Sequence, residues 1–356
     1  MSQRTGISNV FDERLGDSTA FTAVAAVGAL SLLATFVLFV VESDLASVAL
    51  VVFVAAAAYG WLFHQAETAW GLSVLTTLVG IVVLGLILVF LFLEAEKAFE
   101  TAGLSLLLRS AVPVWSPSQG IYGLQVAIHG TIVTTVIATL VAGPLGVAGA
   151  LFISEIAPER VGELVKPAIE MLAGIPSIVY GFIGFAILNR YLFYELQLNT
   201  QGSLFLAGGV IGLMALPTVV SVAEDAITSV PESMKSGSLA LGATDWQTMK
   251  GITLPAAFSG VSAAIILGIG RAVGETMAAT VILGNVAGEF PNPIFDVFAS
   301  TATLTSLIAS QYGDAAETQL SALFVAGVVL FVIVMFLSLV SQLIERRMRR
   351  QLEGDS

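Results

Sequence analysis

Eight apolar stretches limit what this chain can fold into: residues 20–41, 45–63, 71–93, 124–153, 168–188, 203–223, 256–285 and 320–344. An α-helix needs roughly 20 such residues to cross the hydrocarbon core of a bilayer. Inside that core every backbone N–H and C=O must find its partner within the chain, which a helix provides. The expected fold is therefore an all-α integral membrane protein, a polytopic bundle of about eight transmembrane helices. Only 11% of the residues are charged, against roughly 25% in soluble domains, and the mean hydropathy is +0.93. The first stretch is too long for a secretory signal peptide and lacks its small-residue cleavage site, so it reads as a retained span.

The placement of Lys and Arg sets the expected orientation. Arg4, Arg14, Arg160, Lys166, Lys235, Lys250, Arg346, Arg347, Arg349 and Arg350 fall on the side that holds both termini. Lys97, Arg109 and Arg190 fall on the other. Both termini are thus expected in the cytoplasm of a multi-pass cell-membrane protein. The net charge of −12 fits either a halophile, where salt near 1 M shortens electrostatic range to about 3 Å, or a mildly acidic membrane protein with no such history.

The longest inward link ends in VPESMKSGSLALGATDWQTMKGITLP, residues 230–255. Helix formers cluster on both sides of Gly242, a natural break, and Pro255 suits a helix start because its missing N–H costs little there. The segment reads as a helical elbow beneath the membrane, or, taken alone, as a solvated loop.

The seventh stretch carries Arg271 and, four residues on, Glu275. Arg271 lies ten residues beyond the expected entry into hydrocarbon near Val261, hence about 15 Å deep, close to the midplane. An arginine there costs at least about 2.5 kcal/mol, so something must offset it. One reading is an internal ion pair with Glu275, in the less favourable base-before-acid order. The other is an anion site, since a guanidinium presents a fork that matches phosphate oxygens. Thr276 and Ser177, beside the kinking Pro176, could add hydroxyls. Intramembrane hydroxyls such as Thr280, Thr131, Thr134 and Thr135 more often bond their own helix.

Gly242, nine residues, then Ile252, Thr253, Leu254 and Pro255 match the G-x9-I-x-L-P core of the "EAA" loop in ABC importer permeases. MLAGIPSIVYGFIG (171–184), GRAVGETMA (270–278) and TSLIASQYGDA followed by SALFVAGVVLF (305–331) resemble the permeases of phosphate-specific transport, PstC more than PstA. The likeness covers roughly residues 71 to 350. It implies a type I importer permease domain at 71–345 with a coupling loop at 224–255, an added N-terminal hairpin at 20–66, and cytoplasmic tails at 1–19 and 346–356. It also implies that Arg271 and Glu275 lie on the phosphate route, with an oxyanion such as tungstate or molybdate as the alternative cargo. Ser236, Gly237 and Ser238 stand where the family has Glu-Ala-Ala, so its acidic contact is absent here. Trp246 and Met249 are either docking points for an ATPase or anchors to the membrane surface. The implied partners are a PstA-like second permease, a PstB-like ATPase dimer, an extracellular PstS-like phosphate-binding protein and membrane lipid; no nucleic acid is expected.

The chain lacks the G-x-x-x-x-G-K-[ST] cradle for nucleotide phosphates, so ATP hydrolysis is expected from a separate subunit and the chain itself is not expected to be an enzyme. It has no cysteine, and its two histidines, His64 and His129, are far apart, so neither metal nor cofactor is expected. An ion-gradient transporter would predict two similar halves with paired broken spans, and no internal repeat is evident.

Overall fold

The computed structural model describes residues 19–198 and 200–354, so Arg4 and Arg14 lie outside the described residues. Eight of the described helices are long and apolar enough to cross a membrane. The chain divides into two compact units, one ending at Val89 and the other beginning at Phe90.

In the first unit, α1 (Thr19–Val40) and α2 (Leu45–Phe63) form a hairpin. It turns at Glu42, whose positive φ of 56° reverses the chain in few residues. A Cβ on Gly28 would lie 4.0 Å from the Ala56 Cβ, the close approach that small residues allow between membrane helices. Ser31 and Thr35 return their hydroxyls to carbonyls of their own helix. Most of the other side chains here are apolar and exposed, as a lipid-facing surface requires. After His64 the chain enters α3 (Gln65–Ala102), which continues into the second unit.

The second unit is built on α5 (Gln125–Leu151), α9 (Leu204–Thr228) and α12 (Leu254–Val273). Glycines let them meet closely. A Cβ on Gly208 would lie 2.6 Å from Ile137 Cβ, one on Gly212 2.8 Å from Val141 Cβ, and one on Gly146 2.6 Å from Val219 Cγ1. Residues Ala142, Ala150, Val219, Ala223 and Ala264 are buried in the resulting seam. At the end away from the elbow, a short α4 (Ser105–Leu108), a two-residue hairpin of β1 (Trp115–Ser116) and β2 (Ile121–Tyr122), and the start of the last helix bury Leu106, Trp115, Leu304 and Leu323 together.

Two apolar stretches do not form the spans their hydropathy predicts. The stretch at 168–188 splits at Gly174–Pro176. Before the split, α6 (Glu159–Gly174) is an amphipathic helix bearing Glu159, Arg160, Glu163, Lys166 and Glu170, too many charges for hydrocarbon. After it, α7 (Ser177–Ile183), a π-turn at Gly184–Asn189 and α8 (Arg190–Glu195) make the crossing, which runs from Ser177 to Glu195. Pro176 thus separates two helices instead of kinking one. The stretch at 256–285 ends its helix at Val273, unwinds through Gly274–Thr276 and resumes as α13 (Met277–Leu283). The chain then passes through α14 (Leu304–Gln311) before α15 (Glu317–Gly354).

Candidate functional site

Arg271 stands in the last turn of α12, just before the unwound segment. Its Nη1 reaches Thr218 Oγ1 of α9 at 3.5 Å, a long contact, and the side chain is exposed. Among the described residues no carboxylate lies within ion-pair distance of it. Tyr180, on α7, donates its hydroxyl to the Leu172 carbonyl at 3.0 Å.

Glu275 does not share a helical face with Arg271, because the helix that would align them stops at Val273. Its Oε1 instead accepts from the Ala278 N–H at 3.2 Å, satisfying a donor freed where α13 begins. The Glu275 carbonyl accepts from Thr305 Oγ1 at 2.8 Å. Both ends of this residue therefore hold the break in place. Thr276 Oγ1 bonds the Gly274 carbonyl at 3.2 Å. Ser177 begins α7, which lies against α13 at Gly181, where a Cβ would come within 3.0 Å of the Ala278 Cα. The structure thus brings Arg271, Glu275 and Thr276 to one break, with α7 beside it.

Sequence reasoning passed over Thr218, Tyr180 and Thr305. Thr218 follows Pro217, which sits inside α9, and a proline within a span is a signal for polar neighbours. Thr305 opens the TSLIASQYGDA motif, and its role emerges only from the fold. Of the other span hydroxyls, Thr131 bonds Ala127, Thr134 bonds Gly130 and Thr280 bonds Thr276, all within their own helices, whereas the Thr135 hydroxyl, expected to do the same, is buried with no hydrogen-bond partner among the described residues.

The elbow forms as two short helices on either side of Gly242, α10 (Glu232–Ala240) and α11 (Asp245–Thr248). Gly242 has φ +90°, a conformation that favours glycine. Thr244 and Gln247 cap α11 reciprocally, and a π-turn at Met249–Thr253 leads into α12 at Leu254 and Pro255. The Thr248 hydroxyl donates to Ser238 Oγ at 3.0 Å, tying α10 to α11. Ser236 caps back within α10, on the Ser233 carbonyl, and nothing lies near Gly237. Leu241 is 91% exposed and Trp246 65%, whereas Ile252 is half-buried. Met249, in the π-turn, is buried, so it offers no docking surface.

Two ion pairs brace the elbow end. Lys235 Nζ meets Glu155 Oε1 at 2.6 Å, and Lys166 Nζ meets Glu224 Oε2 at 2.6 Å. The Glu155 side chain, in the π-turn at Phe152–Ile156, is 14% exposed.

Membrane-crossing helices, a broken span with a guanidinium beside the break, and an exposed two-helix elbow are the parts of a polytopic transport subunit. A family profile for the inner membrane component of binding-protein-dependent transport systems matches residues 142–350. The chain belongs to that family: it is a permease subunit of an ABC importer, a transport component and not an enzyme, with ATPase and binding-protein partners. It is 37% identical over 266 residues to the probable ABC transporter permease protein YqgH of Bacillus subtilis, covering 73% of this chain and 85% of that one. It is 34% identical over 309 residues to the phosphate transport system permease protein PstC of Haemophilus influenzae, covering 81% and 94% respectively. A solved inward-facing conformation of the MetNI methionine ABC transporter aligns with 18% identity and a TM-score of 0.48, covering 66% of this chain and 97% of that one.

Proposed function

We propose that the chain is the PstC-like permease of an ATP-driven phosphate importer and that phosphate passes Arg271. The observation that carries this reading is the guanidinium at the helix break with no carboxylate partner among the described residues. An arginine in a membrane span without a counter-charge is costly, and a tetrahedral oxyanion fits its fork of donors. Thr276 and Ser177 stand ready to share the anion, while Glu275 keeps the break open and repels an anion that lingers. The phosphate-named relative supports the cargo.

The partners in this reading are a PstA-like permease facing Arg271, a PstB-like ATPase dimer below, and a PstS-like binding protein outside. The elbow, through Gly242, Trp246 and the segment of Ile252, Leu254 and Pro255, receives the ATPase. Ser236, Gly237 and Ser238 give a flat, uncharged surface where the family has its glutamate. Both termini lie in the cytoplasm, as the distribution of Lys and Arg suggests.

The test is uptake by the complete transporter in liposomes, with labelled phosphate and the binding protein supplied. Phosphate accumulation that needs ATP and the binding protein, and that excess tungstate or molybdate leaves unchanged, is the expected result. Uptake of tungstate with no uptake of phosphate would overturn the cargo.

A further inference from the structure

The pair formed by Lys235 and Glu155 has a position that neither orientation nor local stability requires. The two residues are 80 apart in sequence, their charged atoms are 2.6 Å apart, and each side chain is 14% exposed. Lys235 belongs to α10, the elbow helix; Glu155 belongs to the π-turn that ends α5. Among the described residues no other side-chain hydrogen bond or ion pair joins α10 to the membrane bundle. The remaining polar tie of α10, through Ser238, is to α11 within the elbow itself.

Followed away from the elbow, α5 leads to the Arg271 site by two routes. At its far end Thr131 Oγ1 accepts from the Leu304 N–H at 2.9 Å, and a Cβ at Gly130 would collide with the Ala302 carbonyl. The segment so held carries Thr305, which grips the Glu275 carbonyl. Along its middle α5 is locked to α9 by the contacts at Gly146, Gly208 and Gly212, and α9 carries Thr218, the contact of Arg271. Thr131 and Glu155 are 24 residues apart, about 36 Å along a helix. Close-packed contacts of this kind transmit displacement and do not absorb it.

We propose that Lys235 and Glu155 form the strut through which the elbow drives the α5–α9 pair, so that ATPase closure acts on the Arg271 break from both sides. This rests on the reading above, in which the elbow receives the ATPase and phosphate is the cargo. Lys235 and Glu155 are positioning residues: neither touches phosphate or nucleotide. Separating them leaves the elbow able to bind the ATPase but unable to push the helix that remodels the site. A buried charge left without its partner is also strongly disfavoured, so the joint holds under load.

The experiment uses the complete transporter in liposomes and reads ATPase co-purification, ATP hydrolysis and labelled phosphate uptake together. Lys235→Glu alone and Glu155→Lys alone should each retain the ATPase and hydrolyse ATP, while uptake per ATP falls about tenfold or more. The double exchange, which restores opposite charges in reversed order, should recover most of the uptake. Normal uptake per ATP in either single variant would overturn the strut, as would a double exchange no better than the singles. Should a charge reversal fail to assemble, the absence of native cysteine allows K235C/E155C in its place. Bridging these two thiols with a short bis-maleimide should raise uptake above the unbridged level; a bridge that abolishes uptake would mean the joint must part during the cycle, and would overturn the proposal. Wild-type transporter that hydrolyses ATP but carries no phosphate would instead count against the cargo.

Discussion

The elbow end and the broken span treat charge in opposite ways. At the elbow, Lys235 meets Glu155 and Lys166 meets Glu224, each at 2.6 Å. At the break, Arg271 and Glu275 are only four positions apart, yet they turn to different partners, a threonine hydroxyl and a backbone N–H. Paired charges stiffen a joint because parting them exposes both to a poor solvent. A charge held by a weak neutral contact remains available to a ligand. In the proposed reading, the difference teaches that the molecule transmits force where it satisfies its charges and handles cargo where it does not.

Removing the guanidinium should be the largest perturbation. Arg271→Ala is expected to lower phosphate uptake by about 100-fold, the loss of charge-assisted hydrogen bonds worth about 2.7 kcal/mol, with the ATPase still co-purifying. Arg271→Lys keeps the charge but not the fork, and should fall between wild type and Arg271→Ala. Loss of assembly in both variants would place Arg271 with the structural charges of the elbow and erase the contrast.

Glu275 sharpens the comparison next. If it serves the break by accepting from Ala278, Glu275→Gln keeps an acceptor and should transport nearly normally. Glu275→Ala loses a helix-start contact worth about 1 kcal/mol and should transport roughly fivefold less. Equal loss in both would point to the carboxylate charge itself. Thr305→Val should lower the melting temperature of the purified complex by a few degrees at most, since one hydrogen bond contributes about 1 kcal/mol. An unchanged melting temperature would show that the Glu275 carbonyl does not need this partner.

The smallest effect concerns Lys166. Its hydrogen bond to Glu224 raises the lysine pKa above its ordinary value, although burial pulls the other way. A group whose folded pKa is raised stabilises the fold fully below its unfolded pKa and loses that contribution only as pH rises through the folded one. The brace is therefore expected to stay intact through the neutral range and to weaken only in strong alkali. A Lys166→Met variant should accordingly show the same stability difference from wild type at mildly acidic and mildly basic pH, measured by thermal unfolding.

Much of this was legible in the chain. Length and hydropathy located the helices of the N-terminal hairpin, α5, α9 and α15, because a continuous apolar run has one form available in lipid. The elbow was legible through Gly242, since a residue with φ +90° must interrupt helix formers on either side. Hydropathy could not reveal the two breaks. It sums side chains over a window, and Gly174–Pro176 and Gly274–Thr276 remain apolar enough to pass. The consequence at the site was an Arg271–Glu275 pairing that assumed an unbroken helix. The Lys235–Glu155 pair was hidden for a related reason: it depends on where α10 lies, which no local pattern records.

Among the described residues, π-turns stand at Phe152–Ile156, Gly184–Asn189 and Met249–Thr253. Each stores one residue more than an α-helical turn. Absorbing that residue into regular helix would rotate everything beyond it by about 100°. The third lies between the elbow and α12, with Arg271 at the far end of that helix, so loss of its extra residue would turn the guanidinium about the helix axis without tilting the helix.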